Sequence, residues 1–132
     1  MMLEGPGRRR SLSLEGHETT LTKLAIADDT YYAALLGGEG VNVAESHLDG
    51  KTHALVRLGA LVATDASSAG YMWTVEMARR RGAPDDEIVG CLIAALPALG
   101  VAHIVSTAPK LALAIGYDVT SALEGRDEPA PD

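Results

Sequence analysis

An all-α fold is predicted by three features of this 132-residue sequence. Hydrophobic residues make up 47% of the chain, yet aromatics are only 4% and Phe is absent. Ala, Leu, Val and Ile must therefore fill the core, and a composition rich in Ala and Leu favours closely packed helices over a β-sandwich of alternating aromatic and β-branched residues. Apolar residues also recur at three- and four-residue spacings through most of the chain. A single core is the expectation at this length, so the chain reads as one helical domain of about six helices over residues 17–123, between tails at 1–16 and 124–132.

Each element has its own local signal. Residues 18–27 and 29–36 form two short helices, with Leu21, Leu24, Ala25, Tyr32, Leu35 and Leu36 near helical spacing and Gly37-Gly38 as the stop. A loop rich in Gly and Asn follows. In "HLDGKTHALVRLGALVATD", Asp49 is placed to cap a helix whose apolar residues lie on nearly every side, which predicts burial in the core or by a partner. Residues 68–81 set Met72, Val75, Met77 and Ala78 against Glu76 and three arginines, and Gly82 supplies a left-handed stop. "APDDEIVGCLIAALPALG" restarts with Pro84 in the first turn and acids at the positive helix end, then runs Ile88, Cys91, Leu92, Ala95, Leu96 and Leu99 along one face. The last helix, 100–116, keeps Val101, Ile104, Val105, Ala108, Leu111, Ala112 and Ile115 in step, with Pro97 expected to bend its predecessor and Pro109 to kink it. No sequence repeat is evident.

Composition excludes several functions. A net charge of -7 disfavours a nucleic-acid surface, which needs a clustered cationic face; the cluster Arg8-Arg9-Arg10 sits in a Gly- and Pro-containing tail and reads as a solvated arm. No apolar run is long enough to span a membrane, and no secretion signal opens the chain. The single cysteine, Cys91, fits a reducing compartment, so a cytoplasmic location is expected. No His, Asp or Glu pair has metal-ligand spacing, so neither a metal nor a cofactor is predicted.

Residues 48–116 resemble the carboxymuconolactone decarboxylase and AhpD-like alkylhydroperoxidase superfamily. The likeness lies in order and spacing: a "LDGKTHALV" helix, then Gly82, then Glu87-Ile88 opening a helix, then Gly100-Val101-Ala102. The resemblance implies an AhpD-like bundle assembled as trimers or hexamers. Its peroxidase branch implies Cys-x-x-Cys-x-x-x-His at the start of the helix that ends at Gly82, and a carboxylate on the preceding helix. Here those positions hold Ser67, Gly70, Thr74 and Ala54, and a one-residue slip gives Ala66, Ala69 and Trp73 instead. Without two thiols a disulfide cycle cannot close, so peroxidase chemistry is not expected. The decarboxylase branch needs no cysteine and implies acid/base work on a small carboxylated lactone at the same helix start.

Several residues are candidates for such a site, each with a structural alternative. Ser67 lies where family chemistry would sit and is equally placed to cap the helix. Thr74 occupies the imidazole position. His53 and Arg57 share a helix face and could offer a base and an anion clamp, or an exposed edge with Arg57 paired to an acid such as Asp65. His103 is either catalytic or a hydrogen-bonded core or interface histidine. Tyr71 and Trp73 would wall a small pocket or fill a subunit interface. The first expectation is a cofactor-independent, lyase-type enzyme with a small-molecule substrate. Its rival is a non-catalytic oligomeric binding or scaffold protein on the same frame.

Overall fold

The computed structural model describes residues 16–127, and among them every regular element is an α-helix. Among the described residues there are eight helices, where the sequence reading counts about six over residues 17–123. The described chain divides after His47 into two compact units.

The first unit holds α1 (Gly16–Ala25), α2 (Asp29–Gly37) and α3 (Glu39–Ser46). Asp28 caps α2 by accepting a hydrogen bond from the Tyr31 N–H at 2.9 Å. The segment read as a loop after Gly37-Gly38 is instead α3. Gly38 is extended, at φ -166° and ψ 138°, so it turns the chain and serves as the N-cap of a new helix. His47 closes α3 in the left-handed region, at φ 57°. No residue of α1, α2 or α3 is buried. Polar contacts link these helices: the Tyr31 hydroxyl donates to Glu45 at 2.8 Å, and the Asn42 amide donates to the Leu35 carbonyl at 3.0 Å.

The second unit is built from α4 (Gly50–Thr64), α5 (Ser68–Arg80), α6 (Asp85–Leu99), α7 (Val101–Ile115) and α8 (Val119–Asp127). Asp49 caps α4 through the Thr52 N–H at 2.8 Å. Gly82 takes the predicted left-handed conformation, at φ 93°. Pro84 stands at the N-cap of α6 rather than in its first turn. Both α6 and α7 continue as single helices through Pro97 and Pro109. Gly100 and Gly116, at φ 88° and 107°, end them. α8 runs four residues into the segment read as a C-terminal tail, while Arg8-Arg9-Arg10 lie outside the described residues.

Two helical hairpins, α4–α5 and α6–α7, stack side by side. α4 and α6 run parallel, because Lys51 pairs with Glu87 at 3.1 Å and the Cys91 thiol points to the Leu55 carbonyl at 3.6 Å, with the same separation of 36 residues. α5 meets α7 at that separation too, where the Arg79 guanidinium donates to the Ile115 carbonyl at 2.7 Å. Repetition is thus present in the architecture although the sequence does not repeat. Ala54, Leu58, Val62, Tyr71, Val75, Ala78, Ile88 and Leu111 are almost entirely enclosed between the hairpins and form the core.

Candidate functional site

The start of α5, where the sequence resemblance puts its candidate chemistry, is occupied by a helix cap. The Ser67 hydroxyl accepts a hydrogen bond from the Gly70 N–H at 3.2 Å, which satisfies one of the otherwise unpaired first-turn donors. Thr74, two turns on, is buried at 2% exposure. Tyr71 and Trp73 diverge: Tyr71 is fully enclosed and its hydroxyl donates to the Leu61 carbonyl at 3.3 Å, whereas Trp73 is 56% exposed. Positions two apart on a helix point about 200° apart, so these aromatics do not wall one pocket.

The two candidate histidines serve opposite ends of α4. His53 is buried near the N-terminus, where the Arg81 guanidinium lies 3.1 Å from Nδ1 and donates to the Gly50 carbonyl at 3.2 Å. An arginine can only donate, so Nδ1 of His53 is the acceptor in this contact. Arg57 stands one turn later, half-buried. His103 reaches the other end, with Nε2 2.6 Å from the Val62 carbonyl. A carbonyl can only accept, so Nε2 carries the proton. Nine residues of helix separate His53 from Val62, roughly 13 Å along the axis.

A polar group does assemble around the C-terminus of α4. Tyr71 and His103 donate to the adjacent Leu61 and Val62 carbonyls, and Asp65, just beyond, pairs with Lys110 at 2.6 Å. The Lys110 hydrogen bond and charge hold Asp65 below the usual carboxylate range, with a smaller contribution from His103. Burial, aided by the Asp65 charge, pushes the Tyr71 phenol above its ordinary value. These donors satisfy the negative end of the α4 dipole. Asp65 and Lys110 had no sequence signal as a pair, since 45 residues separate them.

A larger feature lies on the outer face shared by α4 and α6. Here Leu55, Val56, Gly59 and Ala63 of α4 face Cys91, Ala94, Ala95, Ala98 and Leu99 of α6 across a groove of about 450 Å³, with Thr52 at one end. The volume lies in the range of small-molecule sites. Small side chains create the hollow: a Cβ at Gly59 would meet nothing within 4 Å. Cys91, on the apolar face of α6, packs against the core and also forms part of this wall, half-buried, with its thiol pushed up by burial and by Glu87. A thiol so placed is a poor nucleophile. None of the candidates His53, Arg57, Ser67, Tyr71, Trp73, Thr74 or His103 lines the groove. Its sequence signal is the row 52, 55, 56, 59 and 63, a second apolar face on a helix already buried along 54, 58 and 62.

Among the described residues, no three His, Cys, Asp or Glu side chains gather as a metal site, and no helix is long and apolar enough to cross a membrane. A scan against protein-family models, a search of curated proteins and a search of solved structures each find no match.

Proposed function

We propose that the protein is a non-catalytic binding member of the carboxymuconolactone decarboxylase and AhpD-like frame, self-associating, and that its α4–α6 groove holds a small apolar molecule. The groove carries this reading. Its walls are aliphatic, and its only titratable side chain is a thiol held in the protonated form. Such a lining supplies burial energy but no acid or base. Polarity is confined to the Thr52 end, next to the Lys51–Glu87 pair, which suits an elongated apolar ligand with one polar end. His53, Ser67 and Tyr71 are engaged in hydrogen bonds that hold the helices in place. The missing second cysteine argues against thiol-dependent peroxide turnover.

Thermal unfolding of the full chain against a panel of aliphatic acids, aromatic carboxylates and lactones tests this, because a ligand bound only by the folded state raises the midpoint. The expected result is a dose-dependent rise that Gly59→Leu abolishes by filling the groove. No rise across the panel overturns the reading.

One observation favours the lyase reading instead: Tyr71, His103, Asp65 and Lys110 converge at the end of α4. Under it, a carboxylated lactone would be turned over by the wild-type chain and not by a folded His103→Gln variant.

A further inference from the structure

Helices α1, α2 and α3 bury no residue, and where their packing would place a core there is a hollow of about 280 Å³ instead. All three helices line it. Leu24 of α1 and Leu35 of α2 give it an apolar side, while Thr20, Tyr31, Asn42, Glu45 and Ser46 make the rest polar. Every one of these except Glu45 is half-buried. The walls are braced within the unit: the Tyr32 hydroxyl donates to the Leu24 carbonyl at 3.0 Å, joining α1 to α2, and the Asn42 and Tyr31 bonds described above join α2 to α3. Such bonds set the lining in place before any ligand arrives. The volume falls just under the roughly 300–1,000 Å³ of drug-sized sites, so an occupant is small.

Charge and hydrogen bonding decide what that occupant is. Glu45 is the one charged side chain of the lining; Lys23, whose ammonium lies 5.0 Å from the centroid of the Tyr31 ring, is not part of it. The Thr20 hydroxyl donates to the Gly16 carbonyl at 3.1 Å, the Ser46 hydroxyl to the Val43 carbonyl at 2.7 Å, and the Tyr31 hydroxyl to Oε1 of Glu45 at 2.8 Å. A hydroxyl has a single hydrogen, so each of these three can meet a ligand only as an acceptor. The bond to Glu45 also pushes the Tyr31 phenol above its ordinary value, which keeps the hydrogen on the tyrosine. An anion would thus face a carboxylate and a set of acceptors, and a purely apolar molecule would desolvate them without replacing their hydrogen bonds.

We propose that this hollow binds a small alkylammonium ion, its N–H donors directed at Glu45 and the hydroxyl oxygens and its carbon chain laid against Leu24 and Leu35. An ammonium brings three donors and a positive charge to a lining of acceptors with one negative charge. Glu45, the exposed member, stands at the solvent side, where the charged head keeps part of its hydration while the carbon chain is covered. Tyr31 adds to the attraction, since its ring already draws the Lys23 ammonium. The site lies wholly within the first unit and does not rest on the groove reading.

Titration of the nitrogen-15-labelled full chain with n-butylammonium, followed by amide NMR shifts, tests the proposal, with n-butanol and butyrate as matched controls. Butylammonium should give saturating shifts among residues 20–46, and the controls weaker ones or none. Glu45→Gln keeps an acceptor for Tyr31 but removes the charge, and should weaken binding roughly fivefold, the scale of a partly exposed ion pair. Thr20→Leu fills the hollow and should abolish binding; it stands in if the spectrum shows that the first variant does not fold. Gly59→Leu, which fills the α4–α6 groove, should leave butylammonium binding unchanged, so the two sites are read apart. The inference is overturned by any of four results: no saturating shift with butylammonium, equal affinity for butanol or butyrate, shifts confined to residues 48–127 or lost in Gly59→Leu, or unaltered affinity in the folded Glu45 and Thr20 variants.

Discussion

Residues 16–47 and residues 48–127 begin from similar local chemistry and end differently packed. Asp28 caps α2 as Asp49 caps α4, each accepting from the N–H three residues on. Yet the first unit buries nothing, and leaves Leu36 at 83%, Ile26 at 67% and Leu21 at 61% exposure, while the second encloses Leu58, Val62, Tyr71 and Ile88 completely. Length and register make the difference. Helices α4, α6 and α7 are 15 residues each, long enough for apolar rows to meet over several turns, whereas α2 and α3 have nine and eight. Capping and propensity make a helix; only a matched neighbour makes a core.

The contrast is broken most forcefully by truncating a side chain in the core. Leu58→Ala should destabilise the fold by about 2–5 kcal/mol, the cost of lost burial plus a residual cavity, measured by denaturant unfolding. Leu36→Ala should change stability by no more than about 0.5 kcal/mol. Equal costs would mean that residues 16–47 carry a core of their own.

Hydrogen exchange sharpens the same point without mutation. Amides of α4 to α7 should be protected close to the global unfolding free energy, and those of α1 to α3 should exchange through much cheaper local opening. Uniform protection across both units would contradict the absence of buried residues in the first.

A smaller effect concerns pH and belongs to the second unit alone. Asp65 titrates below its unfolded value because of Lys110, so this stabilisation is present above the ordinary carboxylate pKa of about 3.9 and is lost as pH falls through the lower folded value. Tyr71 titrates above its unfolded value because of burial, so its contribution is complete below about pH 10 and is lost as pH rises through the higher folded value. Asp65→Asn should therefore flatten the acid limb of a stability profile and Tyr71→Phe the alkaline limb. Unchanged limbs would show that neither group is linked to folding.

Much of the helical framework was legible in the sequence. Asp49, Ser67 and Gly82 mark their helix ends through local hydrogen bonding and backbone geometry, which depend on only a few neighbouring residues. Gly37-Gly38 misled because glycine permits both a stop and a sharp restart, and the chain takes the second option with α3. The candidate site was less legible. His53 and His103 looked combinable on residue type alone, but their rings serve positions on α4 about 13 Å apart along its axis. The groove was hidden for the opposite reason: Gly59, Ala94 and Ala98 carry no chemistry that attracts notice, and their importance is the space they leave.

The sequence by itself determined that the described chain is helical, where α4 and α5 are capped, and that α4 carries more apolar surface than one face can bury. These follow from backbone preferences and from periodicity, both local properties. The tertiary structure alone decided which apolar rows are enclosed and which are left open. Leu58 and Ile93 occupy equivalent places on equal helices, yet one is sealed and the other 70% exposed. Burial depends on whether a second hairpin lies alongside, and no local pattern encodes that neighbour.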